Sequence, residues 1–415
     1  MSIGTAQEPF RNGRSMLPDF HSRETLLRHI RDTRNFYDPR SVDPSGGFFH
    51  FYKDDGTVYD AHTRHLVSST RFVFNYAMAY RHFHDAADLQ RARHGLAFLR
   101  DVHRDPATGG YAWELDWRDG AKTVRDATNH CYGLAFVVLA YAHALLAGVE
   151  EARGWLAETY DLMEARFWEA EHGLYADEAS AAWEVAPYRG QNANMHSCEA
   201  MLAAYDATGE VRYLHRAETL ARNITVRQAQ RADDLVWEHY RQDWSVDADY
   251  NRHDSTNIFR PWGYQPGHLT EWAKLLLILE RHAGQLAGPA DWLLPRAIHF
   301  FDTALAKAWD DRHGGIHYGF APDGSICDGH KYFWVQAESF AAAALLGART
   351  GERRYWDWYD RIWQYSWEHF VDHAHGAWYR ILGPDNAKLT DEKSPAGKTD
   401  YHTMGACYEV LAVLP

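Results

Sequence analysis

Six segments of this 415-residue chain share one layout: a polar or aromatic-polar start, then small and apolar residues at helical spacing. They begin near Arg71 (RFVFNYAMAY), His130 (HCYGLAFVVLAYA), His196 (HSCEAMLAAYDA), His268 (HLTEWAKLLLIL), Trp334 (WVQAESFAAAALL) and His402 (HTMGACYEVLAVL), recurring every 59 to 72 residues. A period of that length limits the chain to a repeat architecture, in which each unit buries its apolar face against its neighbours. Six further segments alternate with these, near 22–37, 86–103, 150–168, 211–229, 290–309 and 352–372, with charge on one face and Trp, Leu and Arg on the other. That amphipathicity suits an outer layer with one wet face, while the Ala, Gly, Ser and Cys of the first set suit a close-packed inner ring.

The connections are asymmetric. Inner to outer is short, as at His84-Asp85, whereas outer to inner takes roughly 25 to 35 residues, so long loops gather at the N-terminal ends of the inner helices. Five of these loops carry Gly followed by aromatic alternation (SGGFFHFYKDDG, TGGYAWELDWRDG, HGLYADEA, GGIHYGFAPDG, HGAWYRILGPD), a hairpin signal; the fourth, LVWEHYRQDW from 235, lacks the Gly and is longer. The expected fold is all-α, an (α/α)6 barrel of six inner and six outer helices with short β-hairpins in the long outer-to-inner loops. Residues 1–415 would form a single catalytic domain, with 1–20 an irregular N-terminal segment.

Lys and Arg number 43 against 57 Asp and Glu, a net charge of −14, which argues against nucleic acid as a partner. No apolar run approaches the roughly 20 residues of a membrane span and the first twenty residues lack a signal-peptide core, so a cytoplasmic protein with no membrane association is expected. Cys131, Cys198, Cys327 and Cys407 are widely spaced with no paired motif, predicting neither disulfides nor a zinc cluster. No phosphate loop, serine elbow or dinucleotide fingerprint stands in a suitable context, and no cofactor is expected.

If the six inner helices are parallel, their first residues form a ring. Pro266 and Gly267 break the chain ahead of His268, placing it in a first helical turn with Glu271 on the same face, where the carboxylate would orient the imidazole. His402 stands in the same relation to the last helix, above the small Gly405 and Ala406. Unprotonated imidazole suits acid/base transfer near neutral pH, and two on opposite sides of a pocket would remove and return a carbon-bound proton. His196 opens a third copy, with Glu199 three residues on. The two His-x-x-Glu steps raise a metal site, but they lie on separate helices with no third cluster, and none is expected. Arg71 offers a permanent positive fork for an oxyanion or a sugar oxygen, and Tyr132 and Trp334 offer flat faces for sugar C–H groups.

Taken together, SSTRFVFNYA, CYGLAF, NANMHSCEA, RPWGYQPGHLTEWAKLLL, KYFWVQAE and YHTMGAC resemble, along nearly the whole chain, the N-acylglucosamine 2-epimerase superfamily, particularly its aldose-ketose isomerase and mannose isomerase branch. The resemblance implies an (α/α)6 barrel and metal-independent sugar isomerisation or epimerisation by histidine. It implies His268 and His402 as the catalytic pair, with Arg71, Tyr132, Asn192, His196, Glu271 and Trp334 lining the sugar site, and no nucleotide effector. One histidine removes the C2 proton of the opened aldose while Arg71 and His196 stabilise the enediolate oxygens. Return to C1 converts mannose to fructose; return to C2 from the other face gives glucose, the 2-epimerase alternative. Two rivals differ in class: a glycoside hydrolase using Glu199, Glu271 or Glu338, and a sugar-binding protein with no proton exchange. The expected partner is a monosaccharide, and the expected assembly a monomer or small homo-oligomer.

Overall fold

The computed structural model describes residues 17–254, 257 and 260–414. Most of the expected irregular N-terminal segment, residues 1–16, lies outside them; residues 17–19 are irregular. Twelve α-helices follow. The outer set is α1 (Arg23–Tyr37), α3 (Ala86–Phe98), α5 (Ala152–Arg166), α7 (Val211–Arg222), α9 (Leu293–Ala308) and α11 (Arg353–His369). The inner set is α2 (Leu66–Phe83), α4 (Cys131–Leu146), α6 (Gln191–Thr208), α8 (Pro266–Glu280), α10 (Phe333–Thr350) and α12 (Tyr401–Leu411). Each inner helix packs on the next, α12 closes onto α2, and each also packs on one outer helix, α1 serving α12. This is the expected (α/α)6 barrel.

Composition accounts for the layers. Residues 341–346 of α10, AAAALL, are all buried, and small side chains let the inner axes approach closely. On α11 only one stripe is buried, including Tyr355, Tyr359, Ile362 and Trp363, and Trp363 stacks 4.3 Å from Phe340 of the inner ring. Gly209 (φ 71°) and Gly351 (φ 73°) end inner helices in the left-handed conformation that glycine adopts without steric cost, which makes the two-residue turn into the next outer helix possible. The helices α3 and α7 end sooner than their apolar pattern, continuing as wider π turns over Leu99–His103 and Asn223–Gln228.

Two inner helices begin earlier than expected. Because α2 starts at Leu66 and α6 at Gln191, Arg71 and His196 stand in their second turns. Their first turns are polar yet buried (Ser68, Ser69, Thr70; Gln191, Asn194), which hides a helix start from an apolar pattern.

The hairpin loops do more than fold on themselves. The extended residues ahead of each inner helix pair antiparallel with the loop of the following unit: Thr63–His65 with Glu114–Asp116, Asn129–His130 with Glu178–Ala179, and Arg189–Gly190 with His239–Tyr240. Tyr264 bridges Phe320, Lys331–Tyr332 pair with Ile381–Leu382, and residues 392–394 return to pair with Tyr52 and Lys53 of the first unit. Six inter-unit pairings thus circle the N-terminal end of the ring and satisfy backbone groups that loops would leave exposed. The fourth unit also turns back on itself, through a bridge between Tyr240 and Val246, and Asp233 (φ 53°) and Asp234 (φ 61°) stand left-handed in the place of the missing Gly.

Candidate active site

The paired loops surround a cavity of about 420 Å3 at the N-terminal end of the ring. Arg71, Tyr132, Asn192, His196, His268, Glu271, Trp334 and His402 all line it.

Pro266 at the start of α8 presets the helical backbone, so His268 sits in the first turn. Its Nδ1 lies 2.9 Å from Glu238 Oε1. Gln191 Nε2 donates to Glu238 Oε2 at 3.0 Å, and Trp272 Nε1 donates to Gln191 Oε1 at 2.8 Å, which fixes the amide orientation. An ionised carboxylate only accepts, so Nδ1 carries the hydrogen and Nε2 is the free nitrogen. The expected His268–Glu271 pairing is not formed. Glu271 turns across the barrel axis, bringing Oε1 within 3.9 Å of His196 Nδ1, and Glu238 holds His268 instead. Glu238 was not singled out in the sequence; it reaches His268 only because 239–240 pair with 189–190, and its sole local signal is the carboxylate of WEHY in the loop without Gly.

His402 is held in the same way by a different carboxylate. Its Nδ1 is 2.7 Å from Glu338 Oε1, and its Nε2 faces Arg71 Nη2 at 3.2 Å. Guanidinium can only donate, so this imidazole is neutral, with its hydrogen on Nδ1. Burial and the adjacent Arg71 hold its proton affinity well below that of ordinary histidine. Two successive left-handed residues, Thr399 (φ 44°) and Asp400 (φ 51°), turn the chain into α12 and aim His402. Asn75 Nδ2 donates to the Thr399 carbonyl at 2.7 Å and Tyr37 Oη to Asp400 Oδ2 at 2.6 Å, holding a backbone that non-glycine residues rarely adopt.

The remaining groups fill the floor between them. Trp334 has its ring centroid 5.1 Å from that of His268 and 5.7 Å from that of His402. His196 Nδ1 pairs with Glu199 Oε2 at 3.0 Å, as its spacing predicts, and burial lowers its proton affinity despite that carboxylate. Arg71 Nη2 also donates to Tyr132 Oη at 3.3 Å, and Nη1 to the Gly397 carbonyl. Asn192 Oδ1 and both oxygens of Glu271 are buried without a hydrogen bond. Burial and the neighbouring Glu338 push the Glu271 carboxyl well above the usual carboxylate range, leaving a neutral acid facing the cavity.

The two His-x-x-Glu steps lie on separate helices, α6 and α8, as expected, but their side chains meet. Ring closure brings ligand atoms of His196, Glu199 and Glu271 within 4.8 Å of one another, and those of Glu271, Glu338 and His402 likewise. Lys274, also not singled out in the sequence, puts its ammonium 2.5 Å from Glu338 Oε2 and supplies positive charge within this cluster. Its signal was readable: a lone lysine within the otherwise buried stretch AKLLLIL.

Fold and site together define an (α/α)6-barrel protein with two carboxylate-anchored imidazoles on one polar cavity, a class equipped for proton transfer. A family model for N-acylglucosamine 2-epimerase (GlcNAc 2-epimerase) matches residues 47–406. The chain is 56% identical over 399 residues to a D-mannose isomerase of Marinomonas mediterranea, covering 96% of this chain and 99% of that protein. A crystal structure of a D-mannose isomerase superposes with a TM-score of 0.92 at 56% identity, covering 95% of this chain and 99% of the other. The cellobiose 2-epimerase of Spirochaeta thermophila DSM 6192 superposes at 0.82 and 25% identity, over 94% of this chain and 96% of the other. This chain belongs to the N-acylglucosamine 2-epimerase family.

Proposed function

We propose that this protein is an aldose-ketose isomerase that interconverts D-mannose and D-fructose through a cis-enediol(ate). The observation that carries the reading is the matched pair of imidazoles: His268 and His402 each give Nδ1 to a buried carboxylate and line one cavity with Nε2 as the remaining nitrogen. The high identity to a D-mannose isomerase supports the choice of substrate. His402, neutral and with an acceptor at Nε2, takes the C2 proton and returns it to C1 on the same face. His268 moves the proton at the sugar oxygens as the chain opens and the carbonyl shifts from C1 to C2. Arg71 stabilises the negative charge that develops on the enediolate, with Tyr132 and His196 beside it. Glu271 and Asn192, whose polar atoms are otherwise unsatisfied, hydrogen-bond sugar hydroxyls, and Trp334 packs on the sugar face.

The hydrolase alternative loses its chemistry here, because Glu199 and Glu338 are engaged by His196, His402 and Lys274. The reading includes a cytoplasmic enzyme, monomeric or a small homo-oligomer, acting on free monosaccharide without nucleic acid; among the described residues no helix is long and apolar enough to cross a membrane. The test is incubation of EDTA-treated protein with mannose in D2O, followed by NMR. Fructose is the expected product, glucose would establish 2-epimerisation, and neither product nor C2 exchange would overturn the proposal.

A further inference from the structure

Lys274 lies one turn beyond Glu271 on α8, buried below the cavity floor, and the scheme above gives it no role. Its Nζ is 2.5 Å from Glu338 Oε2, and the other oxygen of that carboxylate is the one 2.7 Å from His402 Nδ1. The result is a continuous line of ammonium, carboxylate and imidazole that joins α8, α10 and α12. Burial works against a charged lysine, but the carboxylates of Glu338 and Glu199 outweigh it and hold Lys274 as the cation. The other groups facing this line are Arg71 from α2, Tyr132 from α4 and His196 from α6. From α12 comes Tyr401, which donates to Glu199 Oε1 at 2.5 Å.

We propose that Lys274 is a positioning residue for proton transfer: paired with Glu338 from below, it offsets the burial that disfavours a charged carboxylate there and so favours the hydrogen of His402 on Nδ1. The inference rests on the isomerase reading. Without the ammonium, Glu338 and Glu271 would share a buried space with less positive charge, and the Glu338–His402 pair would retain one more proton. That proton either makes His402 an imidazolium or sits on Glu338, whose O–H then donates to Nδ1 and moves the imidazole hydrogen to Nε2. In both forms Nε2 cannot take the C2 proton. At an effective dielectric constant of about 20, loss of this unit charge raises the proton affinity of the pair by about one to two pH units.

The base works unprotonated, so in Lys274→Met the acid limb of kcat against pH moves up by about one to two units. Below the wild-type limb kcat falls about 10- to 100-fold, with a smaller loss at neutral pH; KM for mannose changes less than about threefold, and rising pH recovers rate. A Lys274→Met protein with the wild-type profile overturns the proposal. If that variant does not fold by circular dichroism, the comparison moves to Glu338→Gln and Lys274→Met/Glu338→Gln. The acid limb of the double variant is expected close to that of Glu338→Gln, because no carboxylate remains for the ammonium to support, and a gap of about one to two units overturns the route through Glu338. A readout independent of turnover is 15N-histidine NMR, with His402 assigned by its loss in His402→Gln. Followed across pH, Nε2 of Lys274→Met is expected to become protonated at a pH about one to two units above that of the wild type, and coincident titrations overturn the inference. Failure of the wild type to turn over any aldose would refute the isomerase reading instead, and the NMR comparison would still decide the role of Lys274.

Discussion

Glu271→Gln separates a neutral acid from a carboxylate at the cavity floor. Burial, reinforced by Glu338, holds the Glu271 proton far above the reference value of 4.5 that applies in the unfolded chain. The sign follows from linkage: as pH rises past 4.5 the unfolded state releases this proton and the folded state does not, so the residue costs stability increasingly as pH rises. Each unit over which the folded state keeps the proton costs about 1.4 kcal/mol. Gln does not titrate, so the variant gains on the wild type by that amount per unit, less a pH-independent cost of about 1–3 kcal/mol if the new amide hydrogens lack partners. For 415 residues the unfolding entropy is about 0.9 kcal/mol/K, so the Tm of the variant minus that of the wild type should rise by about 1.6 °C per pH unit, or about 3 °C between pH 5 and 7. Calorimetric melts of both proteins across that range, without sugar, measure it. A variant-minus-wild-type Tm that does not change with pH, or that falls as pH rises, would mean Glu271 is ionised and would refute the assignment.

Glu238→Gln removes a charge-assisted hydrogen bond to His268 worth about 1.5–3 kcal/mol, so kcat should fall about 10- to 100-fold with KM within a few fold; unchanged kcat would remove Glu238 from the machinery. His402→Gln should abolish deuterium incorporation from D2O into mannose and fructose, and surviving C2 exchange would assign the base elsewhere. Because burial and Arg71 keep His402 neutral below its ordinary value of 6.5, and the base acts unprotonated, the acid limb of kcat should lie below pH 6.5; a limb at or above it would contradict that charge state.

What could be read from sequence depended on range. Apolar period and small-residue content are local properties, so the twelve helices and their two layers follow from them, with errors confined to ends such as 223–228, where an α-like pattern continues as a wider turn. The histidines were visible because Pro266 and the terminal helix mark their positions. Glu238 was not, because nothing local distinguishes it from other loop carboxylates until 239–240 pair with 189–190 and bring it under α8. Glu271 misled for the opposite reason: an i,i+3 spacing shows that His268 and Glu271 share a helix face, but which of them turns toward the axis depends on the groups presented by α6 and α10.

The same dependence explains how six similar units give two unequal bases. His268 and His402 occupy corresponding places near the starts of α8 and α12, and each meets a carboxylate through Nδ1. The difference lies one shell further out. Glu238 is met by the Gln191 amide, which orients it without adding charge; Glu338 is met by the Lys274 ammonium, while Arg71 faces the other side of His402. An aldose-ketose shift moves one proton between carbons and another between oxygens, and two imidazoles set among different charges suit that division. Exchanging the two settings, with an ammonium below Glu238 and an amide below Glu338, would therefore be expected to reverse the roles of the histidines while leaving the barrel unchanged.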